Sequence, residues 1–386
     1  MKRETKLMHY GRSPQPGPAN PPVVRASTIL HETVASFRDT NKRREKDDTV
    51  LSYGRRGTTT AYALATAVCD LEGGEASFLF PTGIAALAGA ISAYSSSGDH
   101  VLIVDSIFPA TRTYCENQLR KNGVEIDYFP ADAIDIEKWV KPNTKAVIVE
   151  TPGSMTFDIM DLEKFCNNAK KHNLIIIADN TYGSGWYYRP LEFGCDVSVI
   201  AGTKYLSGHA DVMMGIATLR QEISAPLRQL VHNTGQILAP DEAYACLRGM
   251  RTLNLRLERH EQTALAIANW LSKRDEVVEV LHPGLTSHPR SEIWKRDASG
   301  CNGMFSVKFK SDFAADDFMD NLKLFSVGTS WGGFESLVMP IEPYKKRKYK
   351  PENISLPMIR FQTGLEHQDD LLEDLNRAFS SLKETK

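Results

Sequence analysis

Seven short apolar runs punctuate the middle of this chain: Ser77 to Phe80, His100 to Val104, Glu125 to Phe129, Ala146 to Glu150, Leu174 to Ala178, Val197 to Ile200 and Gly215 to Leu219. Segments of helical spacing separate several of them, among them Thr60 to Leu71, Ile84 to Tyr94 and Leu162 to His172. Strands this apolar have no face to offer water, so helices must cover both sides. The alternation therefore predicts an α/β fold around a mostly parallel seven-stranded sheet. Ligands of such sheets gather at the carboxyl ends of the strands.

The flanking regions have a different texture. Ser13 to Pro22 holds five prolines (Pro14, Pro16, Pro18, Pro21, Pro22), which disfavour helix and point to an extended arm. Arg38 to Asp48 mixes both charge signs and reads as a solvated helix or loop. Beyond Gly249, a long helical pattern from Thr252 to Arg274, strand-like runs at Val277 to Leu281 and Gly303 to Phe309, and an amphipathic Asp369 to Leu382 suit a smaller C-terminal α+β domain. The expected division is an arm over 1–58, an α/β domain over 59–250 and the smaller domain over 251–386. A net charge of −2 argues against a nucleic-acid partner. Six scattered cysteines without a C-x-x-C pair suggest neither a metal site nor a disulfide framework. No apolar stretch approaches a membrane span and no signal-peptide core follows the charged first residues, so a cytoplasmic protein is expected.

Two of the strand-like runs end in reactive groups. Val197 to Ile200 leads through Ala201, Gly202 and Thr203 to Lys204, and Leu174 to Ala178 leads to Asp179. An acid at one strand end and a lysine at another are what pyridoxal phosphate requires, the lysine to bond its carbonyl carbon and the acid to face its pyridine nitrogen. Asp179 could instead cap the segment after it. The turn Phe80-Pro81-Thr82-Gly83-Ile84 opens a helix whose free N–H groups suit a phosphate. The Thr203 hydroxyl could donate to the same group or be a plain strand-end hydroxyl. Arg360, between apolar neighbours, needs an anion: a substrate carboxylate or an internal salt bridge. Lys345 to Lys350 reads as a solvated basic loop able to draw in anionic substrates.

Ordered motifs extend this reading to nearly the whole chain. Tyr53-Gly54-Arg55-Arg56-Gly57-Thr58, Leu71-Glu72-Gly73-Gly74, Thr151-Pro152-Gly153-Ser154, Asp179-Asn180-Thr181, Thr203-Lys204-Tyr205, Leu247-Arg248-Gly249-Met250-Arg251-Thr252 and Ser330-Trp331-Gly332-Gly333-Phe334-Glu335-Ser336 resemble the Cys/Met-metabolism PLP-dependent transsulfuration enzymes. The resemblance implies the PLP-dependent transferase fold type I. It implies that Lys204 bonds the cofactor and later moves a proton, that Asp179 pairs with the pyridine nitrogen, and that Gly83, Ile84 and Thr203 hold the phosphate. Tyr53 and Arg55 would reach the phosphate in a neighbouring subunit, within a homotetramer of dimers that share sites. Arg360 would clamp the substrate α-carboxylate, with Ser330 and Trp331 beside it. Ser-Trp-Gly-Gly is similar to the bacterial β-lyases, whereas γ-lyases and γ-synthases commonly carry Ser-Leu-Gly-Gly. The implied activity is β-cleavage of cystathionine to homocysteine, pyruvate and ammonia.

Three positions depart from the family pattern. Phe108 stands where a tyrosine stacks on the cofactor ring, Ala201 replaces a frequent serine, and Tyr182 occupies a usual tryptophan position. These keep other outcomes in view: γ-cleavage or γ-replacement on cystathionine or homoserine derivatives, cysteine desulfhydration, or a PLP-binding scaffold with little lyase activity.

Overall fold

The computed structural model describes residues 1–12, 16–351 and 355–384. Seven strands build the central sheet: β1 Ala76–Phe80, β2 His100–Val104, β3 Glu125–Phe129, β4 Thr144–Glu150, β5 Ile175–Asp179, β6 Val197–Ile200 and β7 Gly215–Leu219. Their order is β1-β7-β6-β5-β4-β2-β3, with β7 antiparallel to both neighbours and every other pair parallel. All residues of β2, β6 and β7 are buried, so these Val, Leu and Ile side chains each contribute roughly 1.5–3 kcal/mol of burial. That two-sided burial is why the runs lack a polar alternation.

The covering helices begin and end on local chemistry. Thr82 accepts the N–H of Ala85 at 3.1 Å and caps Gly83–Ala93, whose small residues let it lie close on the sheet. Thr59–Glu72 stops at Gly73, and Asp161 caps Leu162–Ala169.

A second sheet, ordered β10-β11-β12-β9-β8, comprises β8 Val277–Leu281, β9 Met304–Phe309, β10 Ser326–Val327, β11 Leu337–Pro340 and β12 Met358–Gln362. Only β10 and β11 pair in parallel. Its core joins Phe305, Phe309 and Phe361 to Ala264 and Leu271 of the helix Leu253–Leu271, and to Leu375 and Phe379 of the helix Gln368–Glu384.

Several expectations change in the structure. The charged N-terminus forms a helix, Arg3–His9, that buries Leu7 and anchors Lys6 to Asp70 at 2.8 Å. Pro16 to Pro22 are neither helix nor strand, as expected for an arm, while Pro14 lies outside the described residues. The mixed-charge segment belongs to the largely exposed helix Val34–Arg44 and the turn after it. The basic run is only partly solvated. Arg347 donates to Thr156 Oγ1 and the Ser154 carbonyl and pairs with Asp158 at 3.2 Å, and the N–H groups of Lys348 and Tyr349 donate to Asp105. Asp105, buried just beyond β2, and the partly exposed Asp158 thereby tie down a loop whose lysines still face water. All six thiols are free, and among the described residues no helix is long and apolar enough to cross a membrane.

Glu72, at the end of its helix, is fully buried against Asn180 Nδ2 at 2.8 Å and the Ser198 hydroxyl. Desolvation raises its carboxyl to about 7 against these hydrogen bonds. Because the folded pKa is the higher one, its contribution to stability is full below the unfolded value near 4.5 and is lost as pH rises through about 7. In Glu72→Gln the amide can accept from Asn180 and donate to Ser198. Urea unfolding of both proteins should then show the stability difference moving in favour of the variant by on the order of 2 kcal/mol between pH 5 and pH 8. A difference constant across that range would refute the assignment.

Candidate active site

The carboxyl ends of β6, β5, β4 and β2 lie side by side in the central sheet, and their order sets out the site. Lys204 follows β6 on a tight turn in which its N–H donates to the Ala201 carbonyl. Its Nζ donates to Ser330 Oγ at 2.9 Å and lies 5.4 Å from the centre of the Trp331 ring. Desolvation first, and the Arg360 charge second, lower its pKa to about 8, with Glu335 opposing. An amine so placed exchanges its proton near neutral pH.

Asp179 ends β5 and is 8% exposed. One carboxylate oxygen, Oδ1, accepts the N–H and the hydroxyl of Thr181 at 3.0 and 2.6 Å, so it makes the local turn contact of an Asp after a strand. The other, Oδ2, has no hydrogen bond among the described residues and is left for a ligand. Burial raises the acid's pKa against the Thr181 bonds, so a cationic partner would stabilise its ionised form. Thr181 was not singled out in the sequence. Its hydroxyl accepts from the Ala201 N–H at 3.0 Å while donating to Asp179, which ties the acid to the turn that carries Lys204.

Arg360 sits mid-strand in β12 and is 3% exposed. Its Nη2 donates to the Thr329 and Ser330 carbonyls at 2.9 Å each. Its Nε is buried without a partner, and no carboxylate pairs with it among the described residues. The internal salt bridge is therefore not what holds it. A buried guanidinium with an orphan N–H has the form of a carboxylate receptor. Ser330 and Trp331 stand between Arg360 and Lys204. Gly332 has a φ of +81°, and a Cβ there would lie 3.1 Å from Lys204 Cα, so the turn after Trp331 passes over the lysine backbone.

The turn expected to receive a phosphate opens the helix Gly83–Ala93. The N–H groups of Gly83 and Ile84 precede the first intrahelical bond, from Ala86 to Thr82. A Cβ on Gly83 would come 2.4 Å from the Ala201 methyl, so the helix start and the Lys204 turn are in contact. Thr203 differs from expectation: its hydroxyl donates to the Met214 carbonyl at 3.1 Å and accepts the Met214 N–H at 2.9 Å. Phe108 is 38% exposed at the end of the β2 loop, its ring free to face a ligand. Tyr182 does not line the site. It is 7% exposed between Phe157 and Trp294, so that departure bears on how these rings pack. Tyr53 and Arg55 also lie apart. Arg55 donates to the His232 carbonyl at 2.6 Å beside the Tyr53 ring, and neither residue makes a hydrogen bond or ring contact with Lys204, Asp179 or Gly83 among the described residues.

Residues 4–380 match the family described as Cys/Met metabolism PLP-dependent enzyme. The chain belongs to that family. It is 37% identical to cystathionine beta-lyase MetC of Escherichia coli, covering 99% of both chains. It is 34% identical to an L-alanine/L-glutamate racemase of Wolbachia pipientis, covering 99% of this chain and 98% of that one. The solved cystathionine gamma-lyase of Lactobacillus plantarum, in complex with L-serine, superposes with a TM-score of 0.89 at 29% identity over 99% of this chain and 100% of that one. The family's cofactor is pyridoxal phosphate, and the orphan Arg360 Nε, the open oxygen of Asp179 and the cleared helix start at Gly83 fit it and an amino-acid substrate.

The contact between Gly83 and Ala201 gives a direct test. Gly83→Ala should weaken pyridoxal phosphate binding about tenfold, the expected scale of overpacking by one methyl. Adding Ala201→Gly should restore part of that loss. Equilibrium dialysis reads both, and independent effects of the two substitutions would contradict the contact.

Proposed function

We propose that this chain is a carbon–sulfur β-lyase that cleaves cystathionine to homocysteine, pyruvate and ammonia. The observation that carries the reading is the cluster of Lys204 Nζ, Ser330 Oγ and the half-satisfied Arg360 guanidinium, which holds an α-amino acid by its carboxylate beside a lysine of lowered pKa. Pyridoxal phosphate, when bound, draws off the electron pair left at Cα as the α-proton departs. The protein's residues do the remaining work. Arg360 fixes the carboxylate, Asp179 supplies the negative charge that keeps the pyridine nitrogen protonated, and Lys204 takes the Cα proton. Expulsion of the Cβ thiolate and uptake of one water complete the balance to thiol, pyruvate and ammonia.

Trp331 favours the β reading over a γ reading because Ser-Trp-Gly-Gly is the pattern similar to β-lyases. Phe108 weighs in the same direction against racemisation by two bases, since its ring carries no group to return a proton. Gly83 and Ile84 hold the phosphate, Phe108 stacks on the ring, and Thr203 joins the phosphate shell if its hydroxyl turns from Met214. Tyr53 and Arg55 serve the site of a second copy, a reading supported by their making no hydrogen bond or ring contact with Lys204, Asp179 or Gly83 among the described residues. The family resemblance extends such a dimer to a homotetramer, and the lack of a signal-peptide core in the sequence is the ground for placing it in the cytoplasm. The same reading divides the chain into 1–58, 59–250 and 251–386.

Incubation with cystathionine should yield pyruvate and a free thiol, while 2-oxobutyrate would establish γ-cleavage and overturn the proposal. Borohydride should bleach the yellow holoenzyme, and Lys204→Ala should remove the bleachable band. Arg360→Ala should lower kcat/KM for cystathionine by roughly a hundredfold or more, the scale of removing a buried carboxylate partner. Steady-state kinetics on lactate-dehydrogenase-coupled pyruvate formation would show an unaffected variant if the clamp lay elsewhere.

A further inference from the structure

Glu150 is the last residue of β4 and pairs in register with Asp179 of β5, so the two carboxyl groups emerge on the same face of the sheet, about 5 Å apart at their Cα atoms. On its other side lies β2, whose loop carries Phe108. The Glu150 Oε2 atom accepts the Phe108 backbone N–H at 2.6 Å. That bond is made immediately before Pro109, which opens the helix Pro109–Tyr114 and has no N–H of its own. One side chain thus joins the residue that faces the ring to the strand end beside the acid that faces the ring nitrogen.

We propose that Glu150 is a positioning residue of the cofactor site, holding Phe108 over the ring through this bond. The inference rests on the pyridoxal phosphate reading above and deepens it. The geometry assigns the two acids different tasks. Asp179 has an open oxygen and a hydrogen-bonded one, as a partner for a pyridine N–H needs. Glu150 is committed to a backbone donor, a task that a neutral carboxyl performs as well as a charged one. Two carboxylates at neighbouring strand ends facing one cationic nitrogen would repel each other, and the cheaper arrangement protonates the one without the cation. Desolvation, and then the Asp179 charge, push the Glu150 carboxyl well above the usual range; Asp158 acts in the same direction, and the Phe108 bond and Arg347 oppose it. Ring placement would then depend on a residue that touches neither cofactor nor substrate.

Glu150→Gln keeps a neutral acceptor of the same length, and Glu150→Ala removes it. The visible circular dichroism of the bound cofactor reports ring placement, and equilibrium dialysis reports affinity. The expected result is that E150A alters the visible dichroism and weakens pyridoxal phosphate binding about tenfold, whereas E150Q stays within about twofold of wild type in both. An unchanged spectrum and affinity in E150A would overturn the proposal. So would E150Q impaired as far as E150A, which would mean that a charge is needed. If E150A does not fold, E150Q against wild type decides by the same criterion. A wild-type chain that takes up no pyridoxal phosphate sinks the functional reading and this inference together, whereas uptake with an indifferent E150A sinks this inference alone.

Discussion

Parallel pairing among β2, β4, β5 and β6 is the constraint on which the rest depends. Strands that run in the same direction deliver their carboxyl ends to one edge, and there each backbone leaves the ladder with its next side chain free to face a ligand. Phe108, Glu150, Asp179 and Lys204 occupy four successive ends in that order. Registers such as Glu150 against Asp179 come from the same backbone bonds that bury Ile148, Ile177 and Val199. Site precision and core stability therefore share one cause.

The second sheet completes what the first cannot supply. Arg360 projects from the middle of β12, a rigid strand paired on both sides, and uses one nitrogen to hold the Thr329 and Ser330 carbonyls. Those carbonyls belong to the segment that brings Ser330 to Lys204 and passes Gly332 across its backbone. Arg360 and Lys204 are thus coupled through a few polar bonds between two separately packed cores. A guanidinium desolvated in this way, its pKa lowered to about 10, is costly without an anion and gains most when one arrives.

Hydrophobic periodicity made most elements legible. β2, β3, β6, β7 and β8 begin and end at the residues the apolar runs mark, although only β2, β6 and β7 are buried throughout and β3 and β8 only in part. The helix Arg3–His9 and the short strand β10 were less legible. The first carries a single buried residue, Leu7, and the second is a two-residue pairing with both residues exposed, so neither leaves a periodic trace. The basic run from Lys345 misled for a related reason: charge composition does not reveal that Asp105 and Asp158 are waiting underneath it.

Residue type and order along the chain were enough to read the family and the sheet, and to single out Lys204, Asp179 and Arg360 as candidates. Tertiary structure alone decided their partners. It left Arg360 without a carboxylate among the described residues, turned the Thr203 hydroxyl toward Met214, buried Tyr182 between Phe157 and Trp294, and set Glu150 between Phe108 and Asp179. Each of those outcomes is a contact between segments distant in sequence. Hydrogen-bond geometry and desolvation act over a few ångströms of space, and only the folded chain brings such groups within that range.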